Sequence, residues 1–70
     1  MNAVSVRVRE LRKELGLRRE DLAAKAGISL NTVASVERGA GSHTGTLEAI
    51  AEALGVDIAQ LFDGKAAKAS

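Results

Sequence analysis

The stretch LAAKAGISLNTVASVERG, residues 22–39, places two short apolar patterns on either side of Gly27. The positions with helical spacing are Leu22, Ala23, Ala26, Val33 and Val36. Glycine adopts a left-handed C-terminal conformation at the lowest cost, so Gly27 is expected to end the earlier of two helices in this stretch. Ser29 is a favourable N-cap for the second helix. The stretch therefore predicts two short helices that meet at a tight turn.

Three further apolar patterns with helical spacing flank this stretch. They comprise Val4, Val8, Leu11 and Leu15 before Gly16; Leu47, Ile50, Ala51 and Leu54 after the group Gly39, Gly41 and Gly45; and Ile58, Leu61 and Phe62 after a capping Asp57. No segment alternates with period two. The sequence predicts an all-α, compact bundle of five short helices, with one domain over residues 1–64 and a disordered tail, KAAKAS, over residues 65–70.

Composition excludes several classes of protein. There is no cysteine, so neither a disulfide framework nor a thiolate metal site is available. No apolar run approaches the roughly 20 residues that span a bilayer. The net charge is only +1, but eight Lys/Arg against five Asp/Glu give +3 over residues 1–45, and two against four give −2 over residues 46–70. Any basic surface is therefore expected in the first two thirds of the chain.

The outer face of the second of these central helices, which is the third helix of the chain, is unusual. Opposite the two valines lie Asn31, Ala34, Ser35 and Arg38, with Leu30 and Thr32 on the flanks. A surface helix with no other role is usually filled with Glu, Lys and Arg. Short, neutral hydrogen-bonding side chains suggest that this face contacts something other than water.

Three segments, LRKELGLRREDLAAKAGIS, TVASVERG and TLEAIAEALGVDIAQLF, carry a resemblance to a known family. They resemble the helix-turn-helix domains of the lambda-type phage repressors and Cro proteins, the xenobiotic-response-element-like (XRE) regulators, over residues of about 4 to 62. The resemblance implies a sequence-specific double-stranded-DNA-binding regulator that acts as a homodimer on paired half-sites. A repressor is the first expectation, and an activator, a restriction-modification controller or a toxin-neutralising partner are the alternatives. It also implies a cytoplasmic, nucleoid-associated protein of bacterial or phage origin.

In such proteins the third helix enters the major groove, while the second crosses the DNA backbone. The resemblance therefore implies that the base-contacting residues are Leu30, Asn31, Thr32 and Ser35. An amide can pair with adenine, a hydroxyl can bond to several base edges, and a leucine can contact a thymine methyl. The alternatives are a contact with the core for Leu30 and solvated surface for the other three.

The expected phosphate-contacting residues are Arg18, Arg19, Arg38, Ser42, His43 and Thr44. Arg19 stands where the family most often has a glutamine, and Arg18 replaces the usual capping Ser or Thr. Two arginines at the positive end of a helix dipole are locally unfavourable, which phosphate contact would explain. The alternative is a solubilising pair of charges. The loop AGSHTG is nearly neutral where many relatives carry basic residues.

Arg12 and Glu37 are expected to form a structural ion pair between the first and third helices, as the resemblance implies. Arg7, Arg9 and Lys13 stay open between solvated surface and proximity to DNA. No catalytic site, metal site, cofactor, small-molecule ligand or membrane contact is expected, because there is one histidine and no second polar cluster. The rival function is a protein-interaction module of the same fold, such as an antitoxin-type partner binder, with weak or no DNA affinity.

Three apolar residues at the end of the domain are candidates for pairing two copies of the chain. They are Ile58, Leu61 and Phe62. For at least two of them, closure of the core is the stronger expectation.

Overall fold

Residues 3–40 and 43–62 are described by the computed structural model, and they form five α-helices. The helices are α1 (Ala3–Glu14), α2 (Arg19–Ala26), α3 (Leu30–Glu37), α4 (Thr44–Leu54) and α5 (Ala59–Phe62). This part of the chain contains no strand. The all-α class and the bundle of five short helices are confirmed. The predicted tail, residues 65–70, and the end of the predicted domain at residue 64 lie outside the described residues.

A single apolar core holds the helices together. Helix α1 packs against α3, α4 and α5, and α2 packs against α3 and α4. The buried apolar residues are Val8, Leu11, Leu22, Ala23, Val33, Val36, Leu47, Ile50, Ala51, Leu54 and Leu61. Full burial of one such Val, Leu or Ile side chain stabilises the fold by about 1.5–3 kcal/mol. Every helix contributes to this cluster, and none of them is long enough to persist alone.

The turn between α2 and α3 forms as the central stretch predicts. Gly27 has a φ of +70°, and the N–H of Ile28 donates to the carbonyl of Ala23 at 3.0 Å. Ser29 then caps α3, because its Oγ accepts from the N–H of Thr32 at 3.1 Å. A left-handed residue and an N-cap two residues later turn the chain within three residues, and α3 packs against α2.

Leu15 was expected in the apolar stripe of the first helix, and that expectation is wrong. Helix α1 ends at Glu14, and the Leu15 side chain is 53% exposed. Gly16, with a φ of +70°, redirects the chain immediately afterwards, so that Leu17 packs against the core instead. The helical period continues one residue beyond the helix itself.

The start of α4 also differs from the sequence reading. The loop AGSHTG was expected to extend to Gly45, but Thr44 is the first residue of α4 and Gly45 the second. Glycine has a low helix propensity but does not end a helix unless its backbone is left-handed, and Gly45 has no positive φ. Asp57 was expected to cap the last helix, and the hydrogen bond found there runs from its backbone N–H to the side-chain oxygen of Gln60, at 2.9 Å.

The three apolar residues near α5 have different surroundings. Leu61 is fully buried, and Ile58 is partly buried against the core. Phe62 is 51% exposed. Phe62 is therefore the most exposed of the three.

Candidate nucleic-acid interface

Helix α3 buries one side and exposes the other. Val33 and Val36 lie in the core, whereas Leu30 is 48% exposed and Asn31 is exposed beside it. Leu30 is not among the buried or partly buried apolar residues that form the core. The first turn of α3 thus presents an apolar and an amide side chain to the solvent.

The hydroxyls on this helix are less free than the amide. The Thr32 Oγ1 lies 2.8 Å from the Ser29 Oγ, and Thr32 is half-buried. Ser35 is also half-buried, and its Oγ accepts from Nη2 of Arg38 at 3.2 Å. Both hydroxyls can still form one further hydrogen bond. The Arg38 guanidinium lies over Ser35 and is exposed at the end of α3.

Arg18 occupies the N-cap position of α2 and is tied to the helix that it starts. The Asp21 Oδ2 accepts from the N–H of Arg18 at 2.8 Å and from its Nε at 3.2 Å. These hydrogen bonds lower the pKa of the Asp21 carboxyl, and the bond to Asp21 raises the pKa of the Arg18 guanidinium. Asp21 therefore offsets part of the positive charge of Arg18 at this exposed helix start.

The structure brings Arg12 and Glu37 together and adds Arg19 as a third member. The Arg12 Nε donates to Glu37 Oε2 at 2.7 Å, and its Nη2 donates to Oε1 at 3.1 Å. The Arg19 Nε donates to the same Oε1 at 3.2 Å. Arg12 also donates to the carbonyl of Leu17 at 2.9 Å. This ion triad links α1, the start of α2 and the end of α3.

The Glu37 carboxylate is buried, with a side chain only 1% exposed. Burial raises the pKa of Glu37, but the hydrogen bonds and charges of Arg12 and Arg19 outweigh it, and the pKa lies below its usual value. The carboxylate is therefore ionised at neutral pH. Sequence reasoning missed the Arg19 contact, because 18 residues separate Arg19 from Glu37 and only the turn between α2 and α3 brings them together.

The remaining predicted phosphate contacts lie near the start of α4. His43 is exposed at the N-cap position, where its side chain makes no capping hydrogen bond, and Thr44 is exposed in the first turn. Ser42 lies outside the described residues. Within residues 3–40 and 43–62, no group of three or more His, Cys, Asp or Glu side chains could hold a metal ion. No helix in that part of the chain is long and apolar enough to span a membrane.

The tight turn, the capped α3 and its exposed outer face define a helix-turn-helix domain of the lambda-repressor type. A family model described as helix-turn-helix matches residues 8–61, and the chain belongs to this family. The HTH-type transcriptional regulator DdrOP3 of Deinococcus deserti is 39% identical over 59 residues, which are 83% of this chain and 46% of that protein. The chain thus spans about half the length of this curated relative.

A solved structure has the same fold. It is the structure of a SinR protein/SinI protein complex, and the similar chain in it is 30% identical, with a TM-score of 0.82. The match covers 93% of this chain and 65% of the other.

Proposed function

We propose that this protein binds duplex DNA sequence-specifically as a transcriptional regulator, with α3 in the major groove. The observation that carries the proposal is the outer face of α3, where Leu30 is 48% exposed and Asn31 is exposed at the first turn. A helix that enters the major groove contacts base edges with its N-terminal residues. The side chains at that end of α3 are the amide, methyl and hydroxyl groups that base edges accept.

Each base-facing residue then has a proposed contact. Asn31 pairs through its amide with an adenine, and Leu30 packs against a thymine methyl. Thr32 and Ser35 add hydrogen bonds with the donor or acceptor capacity that their partners Ser29 and Arg38 leave free. The half-buried position of these two hydroxyls limits their reach, so Asn31 contributes most to the choice of sequence.

The proposed phosphate contacts surround α3. Arg19 and Arg38 are exposed guanidiniums at the start of α2 and the end of α3, and Arg18 adds a third charge that Asp21 partly offsets. Arginine is well suited to phosphate because it presents planar, paired donors. His43 and Thr44 add an imidazole, a hydroxyl and backbone N–H groups at the start of α4, and Ser42 adds a hydroxyl. These contacts would position the domain without selecting a sequence.

The proposal includes a homodimer on paired half-sites and repression of transcription. One copy of α3 offers few base contacts, and two copies on half-sites about one helical turn apart give the affinity that an operator requires. A bound dimer that overlaps a promoter would block transcription. A reporter gene with the operator over its promoter tests the direction: reduced expression supports repression, and increased expression identifies an activator.

The alternative function is a protein-interaction module of this fold. In its favour, the similar solved structure is that of a SinR protein/SinI protein complex. The small net charge of +1 also fits such a role.

Binding to duplex DNA over a series of salt concentrations separates the two functions. DNA binding predicts that the logarithm of the association constant falls linearly with the logarithm of salt concentration, with a slope proportional to the phosphates neutralised. A protein-interaction module predicts no measurable binding to any duplex, even at low salt. The Lys13→Ala variant, which removes a charge from the exposed end of α1, shows whether that charge contributes to the slope.

A further inference from the structure

We infer that Glu37 is a positioning residue that directs the Arg19 guanidinium toward a DNA phosphate. The inference rests on the proposed function and adds a role to a side chain that would otherwise be purely structural. It comes from the ion triad formed by Arg12, Glu37 and Arg19. In this triad one buried carboxylate accepts hydrogen bonds from two guanidiniums of very different exposure.

The two guanidiniums of the triad share the charge of Glu37 unequally. The Arg12 side chain is 10% exposed and is held by both carboxylate oxygens and by the carbonyl of Leu17. Arg12 alone therefore neutralises Glu37 with good geometry. The triad keeps one surplus positive charge, and Arg19, whose side chain is 50% exposed, carries it on the protein surface.

The Arg19 guanidinium contacts Glu37 through its Nε. Its Nε donates to Glu37, and Glu37 is the one carboxylate that it contacts among residues 3–40 and 43–62. A guanidinium held by its Nε keeps four N–H groups on its two terminal nitrogens for another acceptor. The paired donors match the spacing of phosphate oxygens. Anchoring at Nε leaves this outer pair available to an anion.

The contact with Glu37 should reduce the conformational entropy that Arg19 loses when it binds DNA. A free arginine side chain samples many rotamers, and binding that fixes it loses this freedom. Glu37 restricts the side chain of Arg19 before DNA arrives, so less freedom is lost on binding. The first residue of α2 is also where the helix dipole favours an anion. The ion triad therefore connects the packing of α1 against α3 to the contact between Arg19 and a DNA phosphate.

A four-variant cycle on duplex DNA tests the inference with the full 70-residue chain. The double substitution Arg12→Met with Glu37→Met removes the anchor without changing net charge, and apolar replacement of a buried ion pair commonly preserves folding. Arg19→Ala is made in the wild type and in this variant. Each protein is first shown to be folded by circular dichroism, and its affinity for one duplex is then measured at several salt concentrations.

We expect Arg19→Ala to weaken binding about tenfold in the wild type and about two- to threefold without the anchor, because residues in contact are energetically coupled. It should also reduce the salt slope by about one. The matched control replaces a second ion pair of α1, Arg7 and Glu10, 3.4 Å apart, with two glutamines. This neutral change should leave the effect of Arg19→Ala unaltered. Equal losses from Arg19→Ala with and without the anchor would overturn the inference.

Arg19→Lys provides a second test that leaves Arg12 and Glu37 in place. Lysine keeps the charge but lacks the planar fork that binds Glu37 through one edge and phosphate through the other. We expect about a fivefold loss of affinity, within the range of coupling between contacting groups, with the salt slope unchanged. Wild-type affinity in Arg19→Lys would mean that charge alone suffices and would contradict a positioning role.

The Arg19 Nε–H signal in the NMR spectrum of the free protein reports the anchor without DNA. It should exchange slowly with water in the wild type and rapidly in the Arg12→Met/Glu37→Met variant. Rapid exchange in the wild type would overturn the inference. A wild type that binds no duplex at low salt would overturn both the proposed function and this inference. The two failures are distinguishable. In the second, the wild type binds DNA normally, but Arg19→Ala has the same effect with and without the anchor.

Discussion

Asn31 and Thr32 are neighbours in the first turn of α3, but their polar groups are in different states. The Thr32 hydroxyl lies 2.8 Å from the Ser29 Oγ and supports the start of the helix, whereas the Asn31 side chain is exposed. Residue types alone gave both the same expected role. The structure separates them, because a capping interaction engages one side chain and leaves the other available to a partner.

Replacement of Asn31 by alanine should therefore act on sequence preference. We expect a loss of about 1–3 kcal/mol on the preferred duplex and little change on unrelated DNA. Stability should change by less than about 0.5 kcal/mol, because the side chain is exposed and caps nothing. Titration of both duplexes with wild type and Asn31→Ala measures the difference. A uniform loss on both duplexes would assign Asn31 to the DNA backbone instead.

At the scale of the elements, the sequence predicted a helix end correctly where the residues at that end specify a cap. The apolar period located α2, α3 and α4, and a glycine and a serine gave the turn between α2 and α3, because caps depend on the residues themselves. Leu15 was misplaced, since the period continues past the end of α1. The third member of the ion triad could not be foreseen, because the Arg19–Glu37 contact depends on how α2 crosses α3.

Gly27 and Gly45 should respond differently to replacement by alanine, because their backbone conformations differ. A Cβ at Gly27 would meet no heavy atom within 4 Å, but φ is +70°, so Gly27→Ala should cost about 1–2 kcal/mol through conformation alone. Gly45 lies in α4, has no positive φ, and has equal space for a Cβ. Gly45→Ala should therefore stabilise the protein by about 0.4–1 kcal/mol. Urea unfolding measures both changes, and destabilisation of similar size in both variants would contradict this explanation.

At the scale of the whole molecule, the ion triad ties three helices to one ionised carboxylate. The pKa of Glu37 lies below its ordinary value of 4.5 in the folded state. The stability that comes from this shift is therefore fully present above about pH 4.5 and is lost as the pH falls through the folded-state pKa. Urea unfolding at pH 7 and in steps below pH 4.5 measures the loss. The loss should be smaller in Arg12→Met/Glu37→Met, and an equal loss would place the acid-sensitive group elsewhere.

The exposed ring of Phe62 makes a prediction about assembly. If α5 contributes to pairing, Phe62→Ser should leave the folded chain intact and weaken binding to a duplex with two half-sites by about tenfold or more, because the two copies lose their linkage. Binding to a single half-site should not change. Val6→Ser, which changes an apolar side chain of 40% exposure on α1, is the matched control. Equal effects of both substitutions would argue against a specific role for Phe62.

The central claim is that the outer face of α3 selects a DNA sequence, and selection from a pool of random duplexes tests it most directly. The wild type should enrich a motif with two related halves about one helical turn apart and an adenine within each half. Asn31→Ala, selected in parallel, should lose the preference at that adenine and keep the rest of the motif. No enriched motif with the wild type, or the same motif with both proteins, would contradict the claim.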